Sequence, residues 1–390
     1  MRRFLALVVL VHAAIHLLGV AKAFRLLDLP QLPITIGPLA GVWWGVAAVL
    51  LTVTAVGIQR DAPWMWAIGL VALLASQIAI ATAWQQASAG TLVNALLFLV
   101  VFNAWRRPPA DRLDRAYATA VATVRPARIA PELVTEADLA PLPELVRRYL
   151  RITGSVGRPR VENFRAVTRG GIRASSTEGY MPYLAEQFNR IGGATRLYLM
   201  HARKLGVPVS VYHRYAEEQA TMQVRALDLV TIVDARGEAM DKSETVTVFN
   251  DRSIFAPASL IDSAITWTVV DDSVVRATVN GAKQRVSAFL KFAPSGELVD
   301  FWSDDRGALG PDGKQVTWMR WSTPVSAYKE FAGGRRLASR GEARWHAATG
   351  VYTYLTVEIE SVESNVTSTG AVATAAAAPV SARTPAVAGA

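Results

Sequence analysis

The sequence contains no cysteine. Disulfides, thiolate metal sites and a cysteine nucleophile are therefore excluded, while the compartment is left open. Histidine is scarce as well, with five in 390 residues. The short motifs that carry chemistry are missing: no glycine-rich phosphate loop follows a strand, and neither G-x-S-x-G nor H-E-x-x-H occurs. No cofactor and no metal are implied. Beyond Trp105 there are no further long apolar runs.

The apolar residues are concentrated before that point. Four stretches, Phe4–Phe24, Gly37–Ile58, Pro63–Trp84 and Ala87–Trp105, each have 19 to 22 residues. At ~1.5 Å per residue each can cross a ~30 Å hydrocarbon core. Trp64, Trp66, Trp84 and Trp105 sit near stretch ends, where amphipathic rings meet headgroups. Met1-Arg2-Arg3 before the first stretch reads as the flank of a retained span, because the run is too long for a signal-peptide core. The expected organisation is a four-span α-helical membrane bundle over residues 1–105 and a linker with helical pieces over 106–141. A β-rich α+β soluble domain follows over 142–366, and then a disordered tail over 367–390, built of Ala, Thr, Ser, Pro and Val.

Charge sets the expected orientation. Between Arg106 and Arg173 there are fourteen arginines against seven acidic residues. With the N-terminus inside, the inner segments carry Arg2, Arg3, Arg60, Arg106, Arg107, Arg112 and Arg115, and the outer ones only Lys22 and Arg25. Cytoplasmic loops are enriched in Lys and Arg, so four spans place the soluble domain in the cytoplasm, with the periplasmic or extracellular side as the alternative. The membrane expected is the inner (cytoplasmic) one. The basic stretch is also suited to anionic headgroups. Nucleic-acid binding is not expected, since the positive excess is tied to the membrane exit and not to an aromatic-lined surface.

From Val161 onward, short β-branched and aromatic runs alternate with turn residues, as in an antiparallel meander of about twelve strands. Met240–Ile261 interrupts it as a helix, with Asp241 and Ser243 as candidate caps and Pro257 opening a second short helix. Several runs place bulky apolar groups on both faces. Leu298 and Trp302 alternate with Val299 and Phe301, and Trp318 opposes Met319 and Trp321. A curved sheet can use one such face to cover helices and the other to line an apolar cavity. The candidate lining for a hydrophobic small molecule is Trp267, Phe289, Trp302, Trp318, Trp321 and Tyr354; the competing reading is a plain two-layer core.

Polar candidates are fewer. Asp304-Asp305-Arg306, with His346, would serve an enzyme on a membrane-associated substrate if those groups converge; a solvated turn is the simpler reading. His12 and His16 are one helical turn apart on the first span. With Gln77 and Asn94 they form a polar set in the membrane, suited to interhelical hydrogen bonds or to a small-molecule or redox site.

These residues also carry a resemblance. Ile15–Phe24, Ser76-Gln77 and Gly90–Asn94 in the membrane part, and Glu244–Asp262, Ser303–Arg306, Trp321–Gly334, Gly341–His346 and Val351–Val366 in the soluble part, resemble an uncharacterised family of bacterial membrane proteins. That family joins an N-terminal four-helix region to a C-terminal domain of unknown function. Gly307 stands where its pattern has an aromatic. The resemblance implies a soluble domain similar to the lipoprotein-carrier half-barrel, a curved antiparallel sheet closed by helices, and with it a membrane-anchored module for lipid or an acyl chain.

Overall fold

The computed structural model describes residues 2–27, 35–60, 62, 64–106, 112–124, 131–226, 230–310, 313 and 315–367. All but the first residue of the expected tail lies outside them. The chain forms two compact units, Met1–Asp111 and Arg112–Ala390.

The first unit is helical: α1 (Arg2–Ala23), α2 (Pro38–Arg60), α3 (Met65–Thr82), the short α4 (Trp84–Ala87) and α5 (Gly90–Arg106). Among the described residues, three helices, α1 to α3, are long and apolar enough to cross a membrane. The expected fourth span is the helix α5, but its 17 residues rise only about 25 Å. The outward faces are apolar, with Leu7, Val49, Leu74 and Leu99 exposed, as for helices that face lipid. Small residues pack inside. Ala47, Ala72 and Ala79 are fully buried, and a Cβ at Gly19 would overlap the Trp44 ring.

The second unit is built on a sheet whose first meander is β1 (Asn163–Ile172), β2 (Met181–Arg190), β3 (Thr195–Lys204), β4 (Val207–Ala216), β5 (Gln219–Ala226) and β6 (Val230–Arg236). A second runs β7 (Ile265–Val269), β8 (Val274–Asn280), β9 (Arg285–Phe292) and β10 (Leu298–Ser303). A two-strand ribbon, β11 (Gly307–Leu309) with β12 (Val316–Trp318), precedes β13 (Arg320–Ser322) and β14 (Val325–Ser326). A second ribbon pairs β15 (Lys329–Phe331) with β16 (Arg335–Leu337), and β17 (Arg340–Ala347) and β18 (Gly350–Ser364) are the last strands among the described residues. In the main sheet the order is β6-β5-β4-β3-β2-β1-β18-β17-β13-β10-β9-β8-β7, with β14 on β17. Every pairing is antiparallel, so hairpin turns do most of the connecting.

This sheet curls back on itself. The β4–β5 turn holds Glu217 and Glu218 at φ 56° and 58°, a two-residue turn whose hand suits the strand twist. Its Glu218 carboxylate accepts the backbone N–H groups of Ala282, Lys283 and Gln284 in the β8–β9 turn at 2.6, 2.6 and 2.9 Å. Strands far apart in the sheet order thus meet. In the trough between them lies α9 (Glu238–Phe255), which leads from the β6 edge through a 3-10 turn (Pro257–Leu260) to the β7 edge. Fourteen of its 18 residues are buried, so it is an enclosed helix. Val246 and Phe249 join the main core with Phe301, Trp321 and Leu290.

Three helices precede the sheet: α6 (Arg112–Val124), α7 (Glu136–Leu139) and α8 (Glu144–Ile152). α8 is amphipathic and buries Val146, Tyr149 and Leu150. α6 falls in the stretch read from sequence as linker. In the structure it packs on the outer face of the sheet, where Leu113, Tyr117 and Val121 meet Phe188, Leu197, Leu199 and Tyr212. Tyr117 also donates to Glu186 at 2.9 Å.

Other differences are local. The run Val316–Ser322 breaks at Met319 into β12 and β13, and Arg335–Ala347 divides into β16 and β17. A register shift between Leu298 and Asp300 puts Leu298 and Phe301 on the same buried side, which removes much of the apparent two-faced pattern of β10. Gly237, not Asp241 or Ser243, caps α9. Asp241 instead accepts the Ala220 N–H at 2.6 Å.

Tyr117→Ala tests whether α6 is integral. Limited proteolysis of the full chain should leave a wild-type soluble fragment that begins before residue 112, and a variant fragment that begins after residue 124. Identical fragments would show that α6 adds nothing to the domain.

Candidate functional site

The helix in the trough is polar, and its polar groups are compensated from the sheet. Glu244 and Asp251 are seven residues apart, two turns along one face of α9. Arg196 of β3 lies between them. Its Nε is 2.7 Å from Asp251 Oδ2 and its Nη1 3.2 Å from Glu244 Oε2. His213 Nδ1 of β4 is 3.5 Å from Glu244 Oε1, and Asn189 Nδ2 of β2 donates to Asp251 Oδ2 at 3.4 Å. The guanidinium of Arg196 rests over the Tyr198 ring at 4.7 Å. On the other side of α9, Arg306 Nε donates to Thr247 Oγ1 at 3.0 Å, and Asn250 Nδ2 to Thr323 Oγ1 at 2.6 Å.

Burial works to raise the Glu244 carboxyl, but His213 and Arg196 outweigh it and hold the group at about 2. Asp251 is pushed up by burial and drawn back by Arg196. The arrangement keeps charge fixed inside the domain, with Arg196 and Arg306 against Glu244 and Asp251. Among the described residues no group of three or more His, Asp or Glu side chains is placed to hold a metal ion.

The six aromatic candidates do not line one cavity. Trp267 packs on Phe249 of α9, with ring centroids 6.5 Å apart. Trp321 is buried, edge-on to Phe301, and donates to the Tyr354 hydroxyl at 3.1 Å. Tyr354 also stacks on Trp345, and Arg306 lies over Trp321 and Trp345 at 4.2 and 5.1 Å. Those three thus belong to the inner side. Phe289 and Trp302 stack on each other at 5.2 Å, with Arg276 5.9 Å from the Phe289 ring, on the side of the sheet away from α9. Trp318, 47% exposed on β12, meets Lys242.

The polar candidates part company as well. Asp304 pairs with Arg320 at 2.9 Å, and Asp305 with Lys242 at 2.7 Å. Arg306 turns inward, and His346 Nε2 is 2.9 Å from Ser322 Oγ. Only Asp304 and His346 approach a common neighbour, Arg320, which is the register partner of His346. In place of these, the structure assembles Arg196, His213, Asn189, Glu244 and Asp251. The i, i+7 carboxylates were readable from the helical period. The strand residues carry no local signal, because a buried arginine and an exposed one look alike in sequence.

The membrane set does converge. His12 Nε2 is 3.2 Å from both Ser76 Oγ and Asn94 Oδ1, and His16 Nε2 is 3.1 Å from Ser76 Oγ. His16 Nδ1 lies 3.0 Å from the His12 carbonyl, which can only accept, so Nδ1 carries the proton, while Ser76 Oγ donates to Asn94 Oδ1 at 3.0 Å. Asn94 Nδ2 donates to Gln77 Oε1 at 3.0 Å, and Gln77 Nε2 to Thr91 Oγ1 at 3.2 Å. This chain ties α1, α3 and α5 together through side chains, as bundles in lipid do.

Taken together, the fold is one of apolar N-terminal helices, three of them long enough to cross a membrane among the described residues, and a large curved antiparallel sheet domain. The chain belongs to DUF6544, a family of unknown function, whose model matches residues 132–357, more than half of its length. Among solved structures, a domain provisionally described as an outer membrane lipoprotein-sorting protein from Vibrio parahaemolyticus is 10% identical, with 52% of this chain and 85% of that one covered and a TM-score of 0.32. A likeness of that degree carries no conclusion about this chain. No curated protein matches it.

Arg196→Met leaves two buried carboxylates without their cation and is expected to cost about 3–5 kcal/mol at neutral pH. The folded value of Glu244 lies below its ordinary 4.5, so its stabilisation is complete above that pH and is lost as pH falls towards about 2. The gap in unfolding midpoint between wild type and variant should therefore narrow from pH 7 to pH 3. A gap that is small throughout, or constant, would contradict the assignment.

Proposed function

We propose that this chain is a membrane-anchored binding module that holds an apolar ligand, a lipid or its acyl chain, on the trough face of its sheet beside α9. One observation carries the reading. Tyr183, Ala185, Met200, Ala202 and Val211 form a buried apolar cluster drawn entirely from strands, with partly buried Ile172, Met181, Tyr198, Val209, Met222, Val224 and Leu355 packed against it. No helix residue belongs to it. The rest of the trough is occupied by α9, so the ligand surface is this strand-only face and not the aromatic set read from sequence. Three methionines among its residues give it an adaptable lining. Each methylene it takes from water is favourable by ~0.8 kcal/mol.

In this reading α5 is a short fourth span, the N-terminus is inside, and the soluble domain is cytoplasmic at the inner membrane. The basic stretch after the last apolar helix meets anionic headgroups. Arg151, Arg160, Arg165 and Arg169 are tied to Glu136, Asp138, Glu186 and Glu358, which leaves that role to the arginines nearest the membrane exit. Arg107 and the side chains of Arg106 and Arg112 lie outside the described residues. An enzymatic reading through Asp304, Asp305 and His346 is less favoured, because Asp304 and Asp305 are each engaged by a different cation.

Native mass spectrometry of the detergent-purified full chain should find retained lipid. Met200→Glu, which places a charge in the cluster, should lower its occupancy at least tenfold, while Thr266→Glu on exposed β7 should not. Equal occupancy in wild type and Met200→Glu would sink the proposal. For the topology, a fluorescent reporter that matures only in the cytoplasm should light up when fused at the C-terminus; activity of a periplasm-dependent reporter there would reverse the orientation.

A further inference from the structure

Two buried amide atoms in the trough have no hydrogen-bond partner, Gln187 Nε2 and Asn189 Oδ1, and beside them His213 Nδ1 has only its long 3.5 Å contact with Glu244 Oε1. Gln187 and Asn189 are only 3% and 1% exposed. A buried amide group without a protein partner leaves its desolvation cost uncompensated, so a ligand atom or an ordered water that completes the bond is favoured there. The three are neighbours. Asn189 and Gln187 alternate on β2, which pairs with β1 and β3 without a register shift, so both point to the side where Asn189 reaches Asp251 of α9. Across the strands, Gln187 is opposite Tyr198, and Tyr198 is opposite His213.

Their position in the register is informative. One row along the strands holds Asn189, Arg196 and Tyr215, the charged row under α9. The next holds Gln187, Tyr198 and His213. The row after that holds Ala185, Met200 and Val211, the middle of the apolar cluster. The unpartnered atoms therefore lie at the seam between the charged helix and the apolar face, where the polar end of a ligand on that face would come to rest.

The chemistry of the seam selects the head group. Asp251 can only accept, so Asn189 turns Nδ2 towards it and presents Oδ1 as an acceptor. Gln187 Nε2 is a donor, and His213, whose Nδ1 faces the accepting Glu244 Oε1 at 3.5 Å, borders the same spot. Charge is already balanced: Arg196 is held by Glu244 and Asp251, and Arg306 is engaged by Thr247, Trp321 and Trp345. A phosphate at the seam would lose its hydration beside two carboxylates, with no uncommitted cation in the cluster to receive it.

We propose that Gln187, Asn189 and His213 form the recognition site for the polar end of the apolar ligand, and that they select an uncharged hydrogen-bonding head, such as a hydroxyl or ester, over a phosphate. This rests on the binding reading above. The test is a matched pair with one oleoyl chain each, monoolein and oleoyl-lysophosphatidic acid, offered to the full chain in detergent and scored by native mass spectrometry. Monoolein should bind at least tenfold more tightly. Gln187→Leu and His213→Phe should each reduce that preference to below threefold while the oleoyl chain is still bound, with thermal unfolding confirming the fold. Equal affinity in the wild type, or a preference for the phosphate, overturns the inference, and the unpartnered atoms then hold ordered water only. The binding reading survives that outcome. Binding of neither ligand, by contrast, defeats the binding reading itself.

Discussion

The sheet domain depends on one buried ion cluster. A helix with Glu244, Thr245, Thr247, Asn250, Asp251 and Arg252 inside a sheet would be too costly to bury if its charges were left alone. Arg196 answers both carboxylates, His213 and Asn189 add further contacts, and Arg252 is answered by Asp262 at 2.7 Å. With those pairs made, α9 is pinned to the first meander through Glu244 and Asp251 and to the later strands through Thr247 and Asn250. The curl of the sheet follows, since strands far apart in order must come within reach of one helix. Glu218 completes it from outside, lodged on three backbone N–H groups.

Filling the trough with a helix also divides it. Where α9 lies, the sheet face is core. Where α9 is absent, the same face continues as a buried apolar cluster of strand residues with a partly buried border. The seam between them is where polar atoms are buried without partners. Fold and proposed binding surface are thus two consequences of the same placement of one helix.

The membrane unit obeys a related rule in another solvent. Its helices gain nothing from burying leucines, which are as comfortable against lipid, so packing falls to small residues and to side-chain hydrogen bonds. Ala72, Ala79 and Gly19 supply the first, and the chain from His16 through Ser76 and Asn94 to Thr91 the second. Ser76 is the hub, since its Oγ lies within hydrogen-bond reach of both imidazoles and of Asn94.

The amino-acid sequence by itself determined whatever local periodicity expresses. The apolar helices, the antiparallel character of the domain, the helix that became α9 and the shared face of His12 and His16 were all readable, because a 3.6-residue or two-residue period shows which side a residue takes. The central helix was readable even through its Thr-Val-Thr-Val run. What periodicity does not express is what lies opposite. Whether Trp302 faces α9 or Phe289, whether Arg196 is solvated or clamped between two carboxylates, and whether helix Arg112–Val124 is a tether or a layer of the domain were settled only by the tertiary structure. Register shifts at Leu298 and Ala343 sharpen the point, since one extra residue reverses the side of everything after it. The candidate site followed the same division: its two carboxylates, spaced by two helical turns, were written locally, and the arginine, histidine and amides that meet them came from strands that only the fold brings near.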